Sequence, residues 1–215
     1  MDKDEREEWR AGIFLLALLT LLALAGYCNR RDAEAHSGHD HIPPACEQYR
    51  RQLTREVRYY FGFLEPPSLY GSQMRQESAC QSGASSRFAA GLGQFTPGTA
   101  KDMARMYPKD LEGKATPLDP NWAIRAMVLY MKQLRKASAG FGHDAHAVAL
   151  VKYNGGSGWV VREARAAAAV GNDPTKWFGH VEQHCLRAKW ACDENRDYPR
   201  KILFRWWPMF QKAGW

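Results

Sequence analysis

Residues 64–78 read LEPPSLYGSQMRQES. Pro66-Pro67 suits the first turn of a helix, where a missing N–H costs nothing and the fixed φ is already helical. From there Tyr70, Gln73 and Glu77 recur at i, i+3 and i+7 and share one face. The Gly/Ser-rich QSGASS at 81–86 ends the run, which puts Glu77 in the last helical turn. A helix C-terminus carries partial negative charge, and an apolar cleft wall desolvates a carboxylate. Both effects keep a proton on Glu77 near neutrality, as a general acid requires. A Glu at a helix end is ordinarily solvated surface, so the segments around it decide between the two readings.

Outward from this stretch the pattern is helical almost throughout. The spacing predicts helices over Cys46–Tyr60 (amphipathic and basic), Pro67–Ser78, Pro97–Met106 and Asp119–Lys136. Further helices are predicted over Asp144–Tyr153, Ser157–Val170, Asp173–Ala188 and Pro199–Lys212. On the fourth, Ala123, Met127, Tyr130 and Leu134 form a stripe to be buried. No alternating strand run occurs, so residues 46–215 are expected to make one all-α domain. The final YPRKILFRWWPMFQKAGW, residues 198–215, fits an amphipathic helix packed on that domain.

The N-terminus is organised differently. Ala11–Cys28 is eighteen residues without a charge, at the short end of what spans a hydrocarbon core. A cleaved signal peptide calls for a basic leader, yet residues 1–10 hold five acids and three bases. A lipoprotein signal calls for a small residue before the acylated cysteine, and Tyr27 stands there. The expectation is one uncleaved transmembrane helix within residues 1–28, followed by a polar linker over 29–45. Lys3, Arg6 and Arg10 outnumber Arg30 and Arg31, which puts the N-terminus in the cytoplasm and the body outside the inner membrane. His36, His39 and His41 sit in that linker without a cysteine or carboxylate cage, and read as spacer. No metal or cofactor site is expected.

With 45% hydrophobic and 25% charged residues, the 215-residue chain is neither disordered nor a polytopic membrane protein. Its net charge of +7, carried wholly by the part after residue 10, suits a polyanionic partner or surface. No nucleic-acid motif accompanies the charge, so nucleic acid is not the expected partner. Cys46, Cys80, Cys185 and Cys192 fall in the exported body and allow up to two disulfides in three pairings. Cys185 and Cys192 are about 10 Å apart on a straight helix, too far to bridge without a break. Cys80, close to Glu77 but with no His nearby in sequence, reads as structural rather than nucleophilic.

After Glu77-Ser78 come Gly91-Leu92-Gly93-Gln94-Phe95-Thr96-Pro97-Gly98-Thr99-Ala100 and then Tyr153-Asn154-Gly155-Gly156. In this order and spacing, over roughly residues 60–160, the chain resembles the soluble lytic transglycosylase family, with its goose-type lysozyme-like helical fold. The family often has Met where Gly93 stands, commonly Gly near Phe88, and a small residue in place of Lys152. These departures touch the cleft edge and bear on glycan subsites more than on the acid.

The resemblance implies cleavage of the β-1,4 bond between N-acetylmuramic acid and N-acetylglucosamine in peptidoglycan, leaving 1,6-anhydromuramyl ends. It implies Glu77 as the single acid and base, with Ser78 and Gln94 on the substrate's N-acetyl or peptide groups. Tyr153 would orient Glu77, Asn154 would hold the loop or the sugar, and Gly91, Gly93, Gly155 and Gly156 would allow close backbone approach. No Asp or Glu lies between Ser78 and Lys101, so a mechanism using the substrate's own groups in place of a second carboxylate fits this chain. Two alternatives stay open: a goose-type hydrolase, with Asp102 or Asp119 activating water, and a noncatalytic wall-binding protein on the same fold. Partners other than glycan strands and the membrane, in an envelope or virion complex, are not specified, and phage lysis, conjugation, secretion and wall turnover all fit.

Overall fold

The computed structural model describes residues 42–215. In chain order its α-helices are α1 (Pro44–Glu47), α2 (Arg50–Phe61), α3 (Pro67–Ser78), α4 (Pro97–Met106), α5 (Pro120–Lys136), α6 (Ala145–Gly155), α7 (Ser157–Ala169), α8 (Lys189–Arg200) and α9 (Trp207–Lys212). Short 3-10 turns cover Ala139–Asp144 and Val181–His184, and a π-turn over Lys201–Trp206 joins α8 to α9. No strand occurs among the described residues, only isolated bridges pairing Ala90 with Ser85 and with Phe95.

Helix α5 is the axis. Trp122, Ala123, Ile124, Met127, Val128, Met131 and Leu134 are all buried, so it is apolar nearly all round, as a central helix must be. Asp119 caps its start by accepting from the Asn121 N–H at 2.9 Å. Of the expected stripe, Ala123, Met127 and Leu134 are buried, while Tyr130 is only partly so and reaches the cleft described below. Leu53 and Val57 of α2, Leu69, Tyr70 and Met74 of α3, and Ile202, Trp206 and Phe210 of the C-terminal segment complete the main core. A smaller cluster gathers Val148, Val151, Val160, Trp177 and Val181.

The folded unit begins at Ile42, which is 4% exposed, so residues 42–45 of the expected linker belong to the domain. The expected anchor, the rest of the linker and its three histidines lie outside the described residues. Among the described residues no helix is long and apolar enough to cross a membrane.

The helix expected over Asp173–Ala188 is not formed. Gly171 and Gly179 both take left-handed φ, at 84° and 75°, and the segment folds as turns around the 3-10 turn Val181–His184 before extending at Cys185. This is the break that lets Cys185 and Cys192 bond, with Cα atoms 5.8 Å apart. The other disulfide joins Cys46 to Cys80, so Cys80 is structural as expected. Helix α8 starts ten residues before the expected Pro199 and runs through it. Pro199 and Pro208 cannot donate a backbone hydrogen bond, and the widened π-turn between them carries the chain onward without a break.

Candidate active site

Helix α3 ends one residue after Glu77. Ala79 and Cys80 take left-handed φ of 50° and 62°, and the Ala79 N–H caps the Arg75 carbonyl. The Cys46–Cys80 bridge fastens this turn to α1. Glu77 therefore emerges from a fixed helix end into a cleft of about 410 Å³, which it lines with Gln94, Tyr153, Asn154, Glu194 and Tyr198. The aromatic rings of Phe88 and Tyr130 line the same cleft, and Phe88 is exposed at its rim.

Burial pushes the Glu77 carboxyl up to about 8, and the nearby Glu194 charge adds to the rise. A hydrogen bond donated by the Tyr198 hydroxyl to Glu77 Oε1 opposes both. Gln73, one turn before Glu77 on α3, donates to the same hydroxyl oxygen at 3.5 Å. Near neutrality Glu77 thus carries a proton in a cleft wide enough for a sugar, the state a general acid needs.

Tyr198 and Glu194 were not foreseen from the sequence. They lie four residues apart on α8 and so share a face. The helices expected over Asp173–Ala188 and Pro199–Lys212 leave residues 189–198 between them, which conceals the spacing. Tyr153, expected against Glu77, instead donates its hydroxyl to the Gly93 carbonyl at 2.7 Å. It packs on Phe95 and Tyr130 with ring centroids 6.0 and 5.2 Å away. It still lies close enough for the Glu77 charge to help burial raise its own pKa.

Ser78 is buried, and its hydroxyl lies 3.2 Å from the Met74 carbonyl and 3.0 Å from the Leu92 carbonyl. It fastens the 91–94 turn to α3. The Gln94 amide nitrogen donates to the carbonyls of Ala84 and Gly91 at 3.2 and 2.9 Å, with Gln94 itself at φ 46°. Gly91 is required twice over: φ is 78°, and a Cβ would stand 1.6 Å from the Pro117 carbonyl oxygen. A Cβ on Gly93 would meet Phe95 at 2.7 Å and the Tyr153 hydroxyl at 2.9 Å. The close approach that these glycines permit is to protein rather than to open cleft.

Asn154 joins the cleft to a buried network. Its Nδ2 donates to Glu194 Oε1 at 3.2 Å, and its Oδ1 accepts from Asn195 Nδ2 at 2.9 Å. Asn195 accepts in turn from Arg187, which pairs with the buried Glu163 at 3.1 Å. A Cβ on Gly155 would strike Arg187 at 2.4 Å and Asn195 at 2.5 Å, so this glycine makes room for the network. Gly156 ends α6 with φ 89° and meets nothing within 4 Å.

The two carboxylates considered for activating water have other tasks. Asp102 is exposed and pairs with Arg105 at 2.9 Å, and Asp119 caps α5. Glu194 is the carboxylate that shares the cleft with Glu77. No cluster of His, Cys, Asp or Glu with metal-holding geometry occurs among the described residues.

In comparison with known proteins, no curated protein matches the chain. Residues 65–175, just over half of it, match the Transglycosylase SLT domain. That match begins at the helix carrying Glu77 and spans the 91–94 turn and the Tyr153–Gly156 segment, so the chain belongs to the SLT transglycosylase domain family, whose enzymes act on peptidoglycan.

Proposed function

We propose that the protein is a lytic transglycosylase in which Glu77 is both acid and base. The observation that carries this is a buried carboxyl, its pKa pushed up to about 8 by burial, in a sugar-sized cleft at the end of α3 and hydrogen-bonded by Tyr198. Protonated Glu77 gives its proton to the glycosidic oxygen as the bond from muramyl C1 to that oxygen breaks. The substrate's 2-acetamido oxygen supports the electron-poor C1. The muramyl C6 hydroxyl then bonds to C1 and returns its proton to the Glu77 carboxylate. No water is consumed, and the product ends in a 1,6-anhydro ring. The intramolecular nucleophile has the entropic advantage of being attached already. Gln94 and Asn154 serve as contacts for the glycan, Tyr153 and Ser78 hold the surrounding wall, and Gly91, Gly93 and Gly155 let that wall close up.

A second reading rests on Glu194. A second carboxylate in the cleft is what a hydrolase uses to activate water. Digestion of purified peptidoglycan separates the two. Transglycosylation yields muramyl ends one water lighter than hydrolysed ends and resistant to borohydride. Reducible ends of full mass would overturn the single-carboxylate mechanism and make Glu194 the base.

We also propose that residues 11–28 anchor the chain in the inner membrane and leave the catalytic domain in the periplasm. Fractionation after removal of residues 1–30 tests this. The full chain should resist alkaline carbonate extraction and the truncated chain should be released by it as an active domain, and a truncated chain that still resists extraction would refute the anchor.

A further inference from the structure

Helix α2 and the turn after it form a surface that the catalytic cleft does not use. A hollow of about 540 Å³ is lined by Arg50, Arg51, Thr54, Arg58, Pro67 and Trp215. Arg51, Thr54 and Arg58 recur at i, i+3 and i+7 and face one way. Among the described residues no carboxylate pairs with Arg51 or Arg58, although Arg50 lies 3.9 Å from Glu47 and reaches the Gly214 carbonyl. The acids of this stretch are turned inward: Glu56 is 4% exposed and pairs with Arg125, and Glu65 pairs with Arg135. The surface is therefore left cationic.

Beside the hollow stands an apolar tip. Phe63 is 85% and Leu64 100% exposed. The Arg58 guanidinium lies 5.6 Å from the Phe63 ring, so hollow and tip are continuous. Fully exposed neighbouring large apolar side chains are costly in water and mark contact with something apolar. The N-terminus of α3 opens at Pro67 on the same hollow and adds partial positive charge. The chain also enters the domain here, where Glu47 accepts from the Trp215 indole at 2.9 Å.

We propose that this face docks on an anionic lipid bilayer. The arginines take the phosphate headgroups, and Phe63 and Leu64 enter the boundary of the acyl region. Charge complementarity and the paired apolar tip select this occupant. Helix α3 then acts as a spacer, with its first residue at the membrane face and Glu77 ten residues on, about 15 Å along the axis. The bilayer would hold the cleft at a set height, and this inference does not depend on the reaction at Glu77.

The test uses residues 42–215, which contain the whole core and both disulfides. The domain should float with vesicles of phosphatidylcholine mixed with phosphatidylglycerol and fail to float with phosphatidylcholine alone. Arg51→Gln and Arg58→Gln should each weaken binding roughly five-fold. The double variant Phe63→Ser, Leu64→Ser should abolish what binding survives raised salt. All of these variants should keep wild-type activity on soluble glycan strands, which shows that they fold. Equal binding to both vesicle types, no binding to either, or unchanged binding by the variants would overturn the proposal. So would release by inorganic phosphate but not by sodium chloride of equal ionic strength, which would make the hollow a site for free phosphate.

Discussion

Replacing Glu77 by Gln should abolish activity and at the same time stabilise the protein, by an amount that grows with pH. In the unfolded chain this carboxyl titrates near 4.5, and in the folded chain near 8. Below pH 4.5 both states hold the proton and the group costs nothing. Between the two values the folded state keeps a proton that the unfolded state has lost, so stability falls as pH rises, by about 1.4 kcal/mol per pH unit. The penalty is roughly 3 kcal/mol at pH 7 and on the order of 4–5 kcal/mol above pH 8, where it levels off. Gln keeps the size and the hydrogen bond with Tyr198 but cannot ionise. Urea unfolding of both proteins at pH 4.5, 6, 7 and 8.5, compared at matched m-values, reads the difference directly. It should be near zero at the acid end and reach several kcal/mol at the alkaline end. A difference that is flat across this range, or a variant less stable at pH 8.5, would refute the buried, protonated carboxyl. Activity on purified peptidoglycan should fall by about 10²–10⁴-fold, and the wild-type kcat/KM should decline as pH passes through 8.

Two variants on α8 should move that alkaline limb in opposite directions. Tyr198→Phe removes the hydrogen bond that holds the Glu77 pKa down, so the limb should move above 8, with about 1 kcal/mol of stability lost. Glu194→Gln removes a repelling charge and should move the limb below 8; if both variants shift kcat/KM the same way, the electrostatic account of the cleft fails. Gly91→Ala puts a methyl against the Pro117 carbonyl and should lower stability by roughly 3 kcal/mol or more, visible as a fall in Tm. Replacing Cys46 and Cys80 by Ala opens a loop with a sequence separation of 34 residues and should cost about 3–4 kcal/mol in denaturant unfolding, with the 185–192 bridge intact.

The helix carrying Glu77 was legible because its signals are local. Pro66-Pro67 marks its start, the glycine-rich 81–86 segment marks its end, and Glu77 falls where both say it should. Helix α4 was legible for the same reason, from Thr96, Pro97 and the spacing that follows. Helix α8 was not, because Pro199 inside a helix is ordinarily a boundary, and only the π-turn after it allows the helix to continue. Residues 173–188 failed in the opposite sense: left-handed backbone at Gly171 and Gly179 overrode a pattern that looked helical. The packing around Gly91 and Gly155 was not legible, because the atoms they make room for, on Pro117, Arg187 and Asn195, are distant in sequence.

The unformed helix over 173–188 and the helix that runs through Pro199 meet at α8, which carries two groups that act on the Glu77 carboxyl. Glu77 belongs to the part of the chain that matches the family, but the groups that tune its proton, Tyr198 and Glu194, lie beyond residue 175 on α8. Burial raises the acid's pKa most, and the hydrogen bond from Tyr198 and the charge of Glu194 adjust it from α8. Its N-terminal end is closed by the Cys185–Cys192 bridge, and its middle is tied through Asn195 to Arg187, Glu163 and Asn154. Its far end runs on through Ile202, Trp206 and Phe210 into the same core as α3. Trp206 even donates to Gln76, the residue before the acid, at 2.8 Å. The Coulomb interaction falls as 1/r, so doubling the separation of Glu194 from Glu77 would halve its effect. Small movements of α8 therefore change the proton affinity of Glu77 directly, and the disulfide, the buried Arg187–Glu163 pair and the tryptophan-bearing tail are the means by which this chain keeps it fixed.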